Sequence, residues 1–382
     1  MYLDDRRLAL TEAMDTQGLW PADSPWVRRA ILETVPRHMF APERLWTWDG
    51  EAYVSVDRAV DPDRWADLVY AGPYDSAITQ ILDGLPSSSL SCVSVVADML
   101  DSLILEPSHR VLEVGAGAGW NADLLAARAG GGLVTTVEVD GTLTTAARER
   151  LDASGLDVAV HTGDGNTGWP TGAAFDRVIA TYAVDEVPWA WIEQTRPGGR
   201  LVVPWGRLGH IALTVADDGK SATGWVQGLG VFMPSRGTDQ GREHHAIRGD
   251  DPALVREVPV QQDLRPLADT DLLFALRVSH PDIRITTTDT EQCFTVRLHD
   301  GVSSWASATV DHTGTTTARE GGPRRLLVEA EAGRQHWDER GAPSLWDFGM
   351  TVTPTGQYLW AGGAEAGSYT ASLPSVTSER QT

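Results

Sequence analysis

Gly115, Gly117 and Gly119 alternate with alanines directly behind the short apolar run Val111-Leu112-Glu113-Val114. Glycines at that spacing open backbone dihedrals closed to other residues and let a ligand rest on bare main chain. Glu113, inside the run, offers a carboxylate that can hold an ammonium group, directly or through water. Two further acids close the next apolar runs, Glu138 in TTVEVD and Asp164 in HTGDGN. A carboxylate behind the second strand can accept from both hydroxyls of a ribose, as in dinucleotide sites. Asp164 is placed to meet an adenine amino group. Dinucleotide sites prefer G-x-G-x-x-G, with the pyrophosphate on a helix N-terminus. The spacing here is G-x-G-x-G behind an acid. It fits the amino-acid end of S-adenosylmethionine, which has no phosphate to cradle. A ligand-free tight turn with solvated loop acids is the bland alternative.

These residues need a scaffold that brings successive strand ends together. Apolar runs at 110–114, 133–139, 157–160, 176–180 and 200–205 alternate with helical patterns at 120–129, 142–154 and 186–196. The alternation predicts an α/β fold, a doubly wound parallel sheet that binds ligands where strand order reverses. Residues 210–234 predict a hairpin on the sheet edge, turning at 217–220. Upstream, residues 4–40 read as helical, with Ser24 as N-cap, Pro25 in the first turn and Pro36 as a stop. The first domain is therefore expected over 1–237, with a helical N-terminal part over 1–105. A polar, Gly-rich stretch at 235–252 marks a boundary. Beyond it, 293–301, 303–311, 324–333 and 349–361 read as strands. Residues 251–382 are expected to form a smaller α+β or mainly β accessory domain, and 375–382 a frayed tail.

Composition narrows the function. The 53 acidic residues outnumber the 31 lysines and arginines, for a net charge of -22. Nucleic acid is not an expected partner, because phosphate binding needs clustered cations. Cys92 and Cys293 make no disulfide framework and suit a reducing, cytoplasmic setting. The first residues are charged where a signal peptide needs an apolar core. No run reaches membrane-spanning length. His244 and His245 are adjacent, a spacing that zinc sites do not use, so no metal site is expected. Trp305, Trp337, Trp346 and Trp360 read as core anchors, with one or two available to line a peptide groove.

Several ordered motifs carry a resemblance. They are VPRHMFAPE, VLEVGAGAGWNADLLA, GDGNTGWPTGAAFDRVIATYAVDEVPWAWIEQTRPGGRLVVPWG and VFMPSRG. Over residues 24–237 the chain resembles protein-L-isoaspartate O-methyltransferases. The resemblance implies a Rossmann-like class I methyltransferase sheet, S-adenosyl-L-methionine as cofactor and a side-chain carboxylate as methyl acceptor. It assigns Glu113, Gly115, Gly117, Glu138, Asp164 and Gly165 to the cofactor. Gly119, Asn121, Val139 and Thr181, on the same loops and strand ends, complete that set.

Just ahead of the glycines the family carries Thr-Ile-Ser-Ala-Pro-His. Ser89, Leu90 and Ser91 fit its first three positions, and Cys92, Val93 and Ser94 replace the last three. Ser89 and Ser91 are thus the candidates for the catalytic loop, with Ser91 matching the family's active-site serine and orienting the acceptor carboxylate. A Ser-rich loop that caps the next helix is the alternative. The departures at 92–94 point away from isoaspartate in damaged proteins. The stretch LWDFGMTVTPTGQYLWAGG resembles actinobacterial methyltransferases that accompany ribosomally made peptides, including lanthipeptide and graspetide pathways. There, the resemblance implies, an unmodified aspartate is methylated and its ester closes to an aspartimide, which can hydrolyse to isoaspartate. The expectation is a peptide aspartate methyltransferase whose C-terminal domain recognises the peptide. Isoaspartate repair is the alternative, followed by a non-catalytic peptide-binding relic and a dinucleotide dehydrogenase.

Overall fold

Arg44–Trp48 (RLWTW) and Tyr53–Asp57 (YVSVD) are rich in aromatic and β-branched residues, which favour a pleated surface. In the computed structural model, which describes residues 2–206, 209–238, 241–249, 255–260 and 262–370, they are strands β1 and β2. With β3 (Ala77–Leu82) and β4 (Leu85–Leu90) they form an antiparallel sheet in the order β2-β1-β3-β4. The expected helical part over 1–105 is therefore a mixture. Helices α1 (Tyr2–Thr16), α2 (Pro25–Arg29) and α3 (Pro62–Val69) share it with this sheet. Ser24 takes the N-cap position of α2 but makes no side-chain cap bond. The helical turns continuing from α2 end at Thr34, before Pro36.

After α4 (Val93–Ser102) the chain runs through β5 (Val111–Val114), β6 (Val134–Glu138), β7 (Val158–Thr162), β8 (Phe175–Ala180) and β9 (Thr195–Trp205). Between them lie α5 (Trp120–Ala129), α6 (Gly141–Ser154) and α7 (Trp189–Glu193). These five strands are parallel, and β10 (Gly209–Val215) and β11 (Ala222–Leu229) add an antiparallel hairpin beside β9. All four residues of β5 are buried, as expected for a central strand covered on both faces. β5 pairs with β6 on one side and β8 on the other, with Val114 opposite Val137 and Ala180. Strand order reverses there, and the crevice at the carboxyl ends of β5, β6 and β8 is the place where such a sheet binds ligands.

A second compact unit contains α8 (His244–Arg248), β12 (Arg256–Val258), α9 (Thr270–Ser279), β13 (Arg284–Asp289), β14 (Cys293–His299), β15 (Trp305–Asp311), β16 (Thr316–Gly321) and α10 (Leu326–Glu339). Its antiparallel sheet runs β12-β16-β15-β14-β13. Of the stretch 324–333, expected as a strand, residues 326–333 belong to α10. Leu326, Ala330 and Gly333 are buried at helical spacing, and a short apolar run such as Leu326-Leu327-Val328 does not by itself separate helix from strand.

The last two strands are β17 (Phe348–Thr353) and β18 (Gly356–Ala361). They extend the sheet of β5–β11 to nine strands, in the order β18-β17-β11-β10-β9-β8-β5-β6-β7. Thr351–Gln357 group with Met1–Ser235, while Arg236–Met350 and Tyr358–Thr382 form the second unit. This corrects two expectations. The β10–β11 hairpin does not end the sheet, and the C-terminal domain is not the continuous segment 251–382. The expected frayed tail at 375–382 lies outside the described residues.

Candidate active site

The glycine loop leaves β5 with positive φ at Gly115 (+96°), Gly117 (+52°) and Gly119 (+92°). At Gly115 a Cβ would also sit 2.3 Å from Thr181 Oγ1 and 3.0 Å from the Tyr182 ring. The end of β8 therefore packs against naked backbone. Thr181 Oγ1 donates to the Gly115 carbonyl at 2.6 Å, tying the two strand ends together. Gly119 is the N-cap of α5. A Cβ at Gly165 would come within 2.6 Å of the Tyr182 hydroxyl. Tyr182 thus spans the gap between the glycine loop and the turn after β7, and its hydroxyl donates to Asn166 Oδ1 at 3.2 Å. Burial raises its pKa above the ordinary phenol value.

The three acids occupy different environments. Glu113 has no exposed surface. Asn121 Nδ2 donates to its Oε1 at 2.8 Å and Thr136 Oγ1 to its Oε2. Burial lifts its pKa to about 7, against both hydrogen bonds. Any hold of Glu113 on a ligand ammonium, expected directly or through water, would come from a buried carboxyl whose two oxygens already accept from Asn121 and Thr136. The carboxyl lies beneath the loop and ties β5 to β6 and the first turn of α5. Glu138 closes β6 with 6% of its surface exposed. Its Oε2 accepts from Gly117 N at 2.9 Å and its Oε1 from Asp140 N at 3.1 Å. A carboxylate has about four lone-pair sites, so each oxygen keeps capacity for a further hydroxyl donor. Asp164 is exposed and accepts from Asn166 N at 2.9 Å, which fixes the turn containing buried Gly165. Val139, beside Glu138, is half exposed.

The serine loop lies between β4 and α4. Cys92 takes the N-cap position of α4 and makes no side-chain cap bond. Ser94 Oγ instead donates to the Pro73 carbonyl. The helix-capping alternative for Ser91 fails on this geometry. Ser89 and Ser91 are half-buried, whereas Ser88 is buried. Ser88 Oγ would lie 3.6 Å from a Cβ built on Gly117, and it accepts from Thr79 Oγ1 at 2.9 Å. Ser88 is therefore the serine of this run that meets the glycine loop.

Arg37, from the VPRHMF motif, is 2% exposed. It donates to the carbonyls of Val69 and Leu90 at 2.9 Å and also to that of Ser91. Its guanidinium lies 4.8 Å from the centre of the Trp120 ring, and burial lowers its pKa to about 10. Arg37, Ser88 and Tyr182 were not singled out by type and spacing. The available signals were an arginine in an otherwise apolar N-terminal motif, the alternation of Ser88 and Leu90 along a strand, and a tyrosine next to Thr181.

The sequence profile of the protein-L-isoaspartate(D-aspartate) O-methyltransferase (PCMT) family matches residues 10–228. That span holds the glycine loop, the three acids and the serine loop. The chain belongs to this family. A protein-L-isoaspartate O-methyltransferase of Methylorubrum extorquens is 35% identical over 205 residues, covering 54% of this chain and 77% of that protein. A namesake from Hyperthermus butylicus is 36% identical over 258 residues, covering 64% of this chain and 94% of the relative. Members of the PCMT family are S-adenosylmethionine-dependent carboxyl methyltransferases. The PCMT match stops before the second unit, which begins at Arg236.

Proposed function

We propose that the chain methylates a side-chain carboxylate of aspartyl origin in a peptide or protein, with L-isoaspartate as the acceptor. The observation that carries this is the family match over the same residues that build the glycine loop and its flanking acids. The residues fit S-adenosylmethionine: bare backbone at Gly115 and Gly117, a carboxylate at Glu138 with spare acceptor capacity, and exposed Asp164 beside it in strand order. When bound, the cofactor supplies an electrophilic methyl group on a sulfonium. Glu138 holds the ribose hydroxyls, and Asp164 with Gly165 receives the adenine. Glu113 fixes the loop through Asn121. The carboxylate oxygen would take the methyl group, with the carbon–sulfur electron pair left on sulfur. No proton moves, because a carboxyl of pKa about 4 is already ionised at neutral pH. The work of the protein is alignment and removal of water from the carboxylate. Ser91 orients the acceptor by hydrogen bonding, and Arg37 holds its backbone in place.

Two observations favour a second acceptor, an unmodified aspartate in a ribosomally made peptide. Cys92, Val93 and Ser94 replace the family's Ala-Pro-His, and a second unit follows the matched span. In that case the methyl ester is attacked by the following amide nitrogen. A five-membered ring closes and methanol leaves. Intramolecular geometry supplies the high effective concentration this step needs. The second unit then serves peptide recognition. Paired synthetic peptides, identical except for aspartate or isoaspartate, decide the acceptor by mass spectrometry. Methyl ester on the isoaspartyl peptide alone supports the first reading. A transient methyl followed by net loss of one water from the L-aspartyl peptide supports the second. No methylation of either peptide rejects both.

A further inference from the structure

Gln357, at the start of β18, reaches with its amide side chain to the loop that leaves β8. Gln357 Oε1 accepts from Val187 N at 2.9 Å, and Gln357 Nε2 donates to the Asp185 carbonyl at 2.7 Å. The same carbonyl accepts from Trp205 Nε1 at 3.0 Å. All four residues lie in the first unit. Gln357 thus meets a carbonyl and an N–H two residues apart, as a neighbouring strand would. The braced segment begins at Thr181 and Tyr182, which pack on Gly115 and Gly165. It is pinned again where Val184 bridges Trp205. Asp185 and Glu186 at its crest are exposed, and Val187 is buried.

We propose that Gln357 is a positioning residue for methyl transfer, fixing the 182–187 segment as one wall of the acceptor cleft. The inference rests on the carboxyl methyltransferase reading above. Two features place the effect on the acceptor. The inner end of the segment, at Thr181 and Tyr182, is already tied to the glycine and Gly165 loops. The outer end, from Asp185 to Val187, is held by Gln357 together with Trp205, and a peptide, being larger than the cofactor, reaches that far. Gln357 lies beyond residue 228, where the family match ends. This brace is therefore an addition to the shared catalytic core.

The test compares the full-length chain with Gln357→Ala and Gln357→Glu, using the better of the two paired peptides. Amide hydrogen exchange at Val187 is measured alongside steady-state kinetics and cofactor titration. In Gln357→Ala the Val187 amide exchanges faster. The peptide KM rises roughly tenfold, equivalent to about 1.4 kcal/mol, while kcat and cofactor Kd hold. Gln357→Glu keeps an acceptor for Val187 N but loses the donor to Asp185, so Val187 stays protected while KM still rises. It also serves if the alanine variant fails to fold. Unchanged exchange in Gln357→Ala overturns the brace. Faster exchange with unchanged KM, or equal losses in cofactor and peptide binding, overturns the positioning role. If the unaltered chain methylates neither peptide, the functional reading fails instead, and exchange at Val187 still decides whether the brace exists.

Discussion

Glu113 makes the stability of the first unit depend on pH in a direction opposite to that of a salt-bridged acid. Its carboxyl is wholly buried, and burial moves its pKa from 4.5 to about 7. The folded chain therefore holds a proton across that interval that the unfolded chain releases. Stability linked to this group is greatest below pH 4.5 and falls as pH rises towards 7. Each pH unit inside the interval is worth about 1.4 kcal/mol. Between pH 5.5 and 8 the loss is roughly 2 kcal/mol. Glu113→Gln removes the titration and keeps the contacts. The amide oxygen accepts from Asn121, and the amide nitrogen donates to Thr136 Oγ1, which can accept as well as donate. Urea unfolding, followed by hydrogen exchange in β5 and β6, reports the unit that holds this residue. Between pH 5.5 and 8, the unaltered chain should lose about 2 kcal/mol relative to Glu113→Gln. Parallel pH profiles for the two proteins would refute the claim that burial raises the pKa of the hydrogen-bonded carboxyl under the loop.

Other substitutions separate the roles of the remaining residues. Glu138→Ala should weaken S-adenosylmethionine or its demethylated product by about 1.5–3 kcal/mol, the range for hydrogen bonds to a charged group; calorimetry on the folded variant checks it. Ser91→Ala should slow single-turnover methylation and leave cofactor affinity unchanged, whereas equal rates would remove Ser91 from the acceptor site. Gly115→Ala forces a side chain to φ +96° and against Thr181. Strain of that kind is on the order of 1–3 kcal/mol, so thermal unfolding should start earlier and cofactor binding should weaken. Arg37→Lys gives up the planar fork that reaches several carbonyls at once; it should lower kcat more than cofactor affinity, because the Ser91 backbone loses a donor.

The strands and helices between residues 110 and 205 were legible because periodicity changed cleanly from apolar runs to amphipathic turns. The glycines and acids fall on consecutive strand ends for the same reason. What the sequence concealed was set by tertiary context. Glu113 reads as a ligand acid by position, and its hydrogen bonds with Thr136 and Asn121 appear only in the fold. The Leu326-Leu327-Val328 run satisfies strand and helix patterns alike until its buried face is known. The β1–β4 sheet lies among helical patterns, and β4 reads as a polar Ser-rich loop. The return of Thr351–Gln357 to the nine-stranded sheet is a long-range pairing that local pattern does not encode. The same is true of the contact from Gln357 to Asp185 and Val187.

The proposed reaction is methyl transfer to a carboxylate at the crevice formed by β5, β6 and β8. The most direct measurement follows isotope-labelled methyl from S-adenosylmethionine into an isoaspartyl peptide, with Glu138→Ala at the same cofactor concentration as the comparison. The expected result is label in a base-labile ester on the isoaspartyl carboxyl, and much less label with the folded variant below saturating cofactor. Label that resists base, or label that accumulates equally with Glu138→Ala under those conditions, would contradict it.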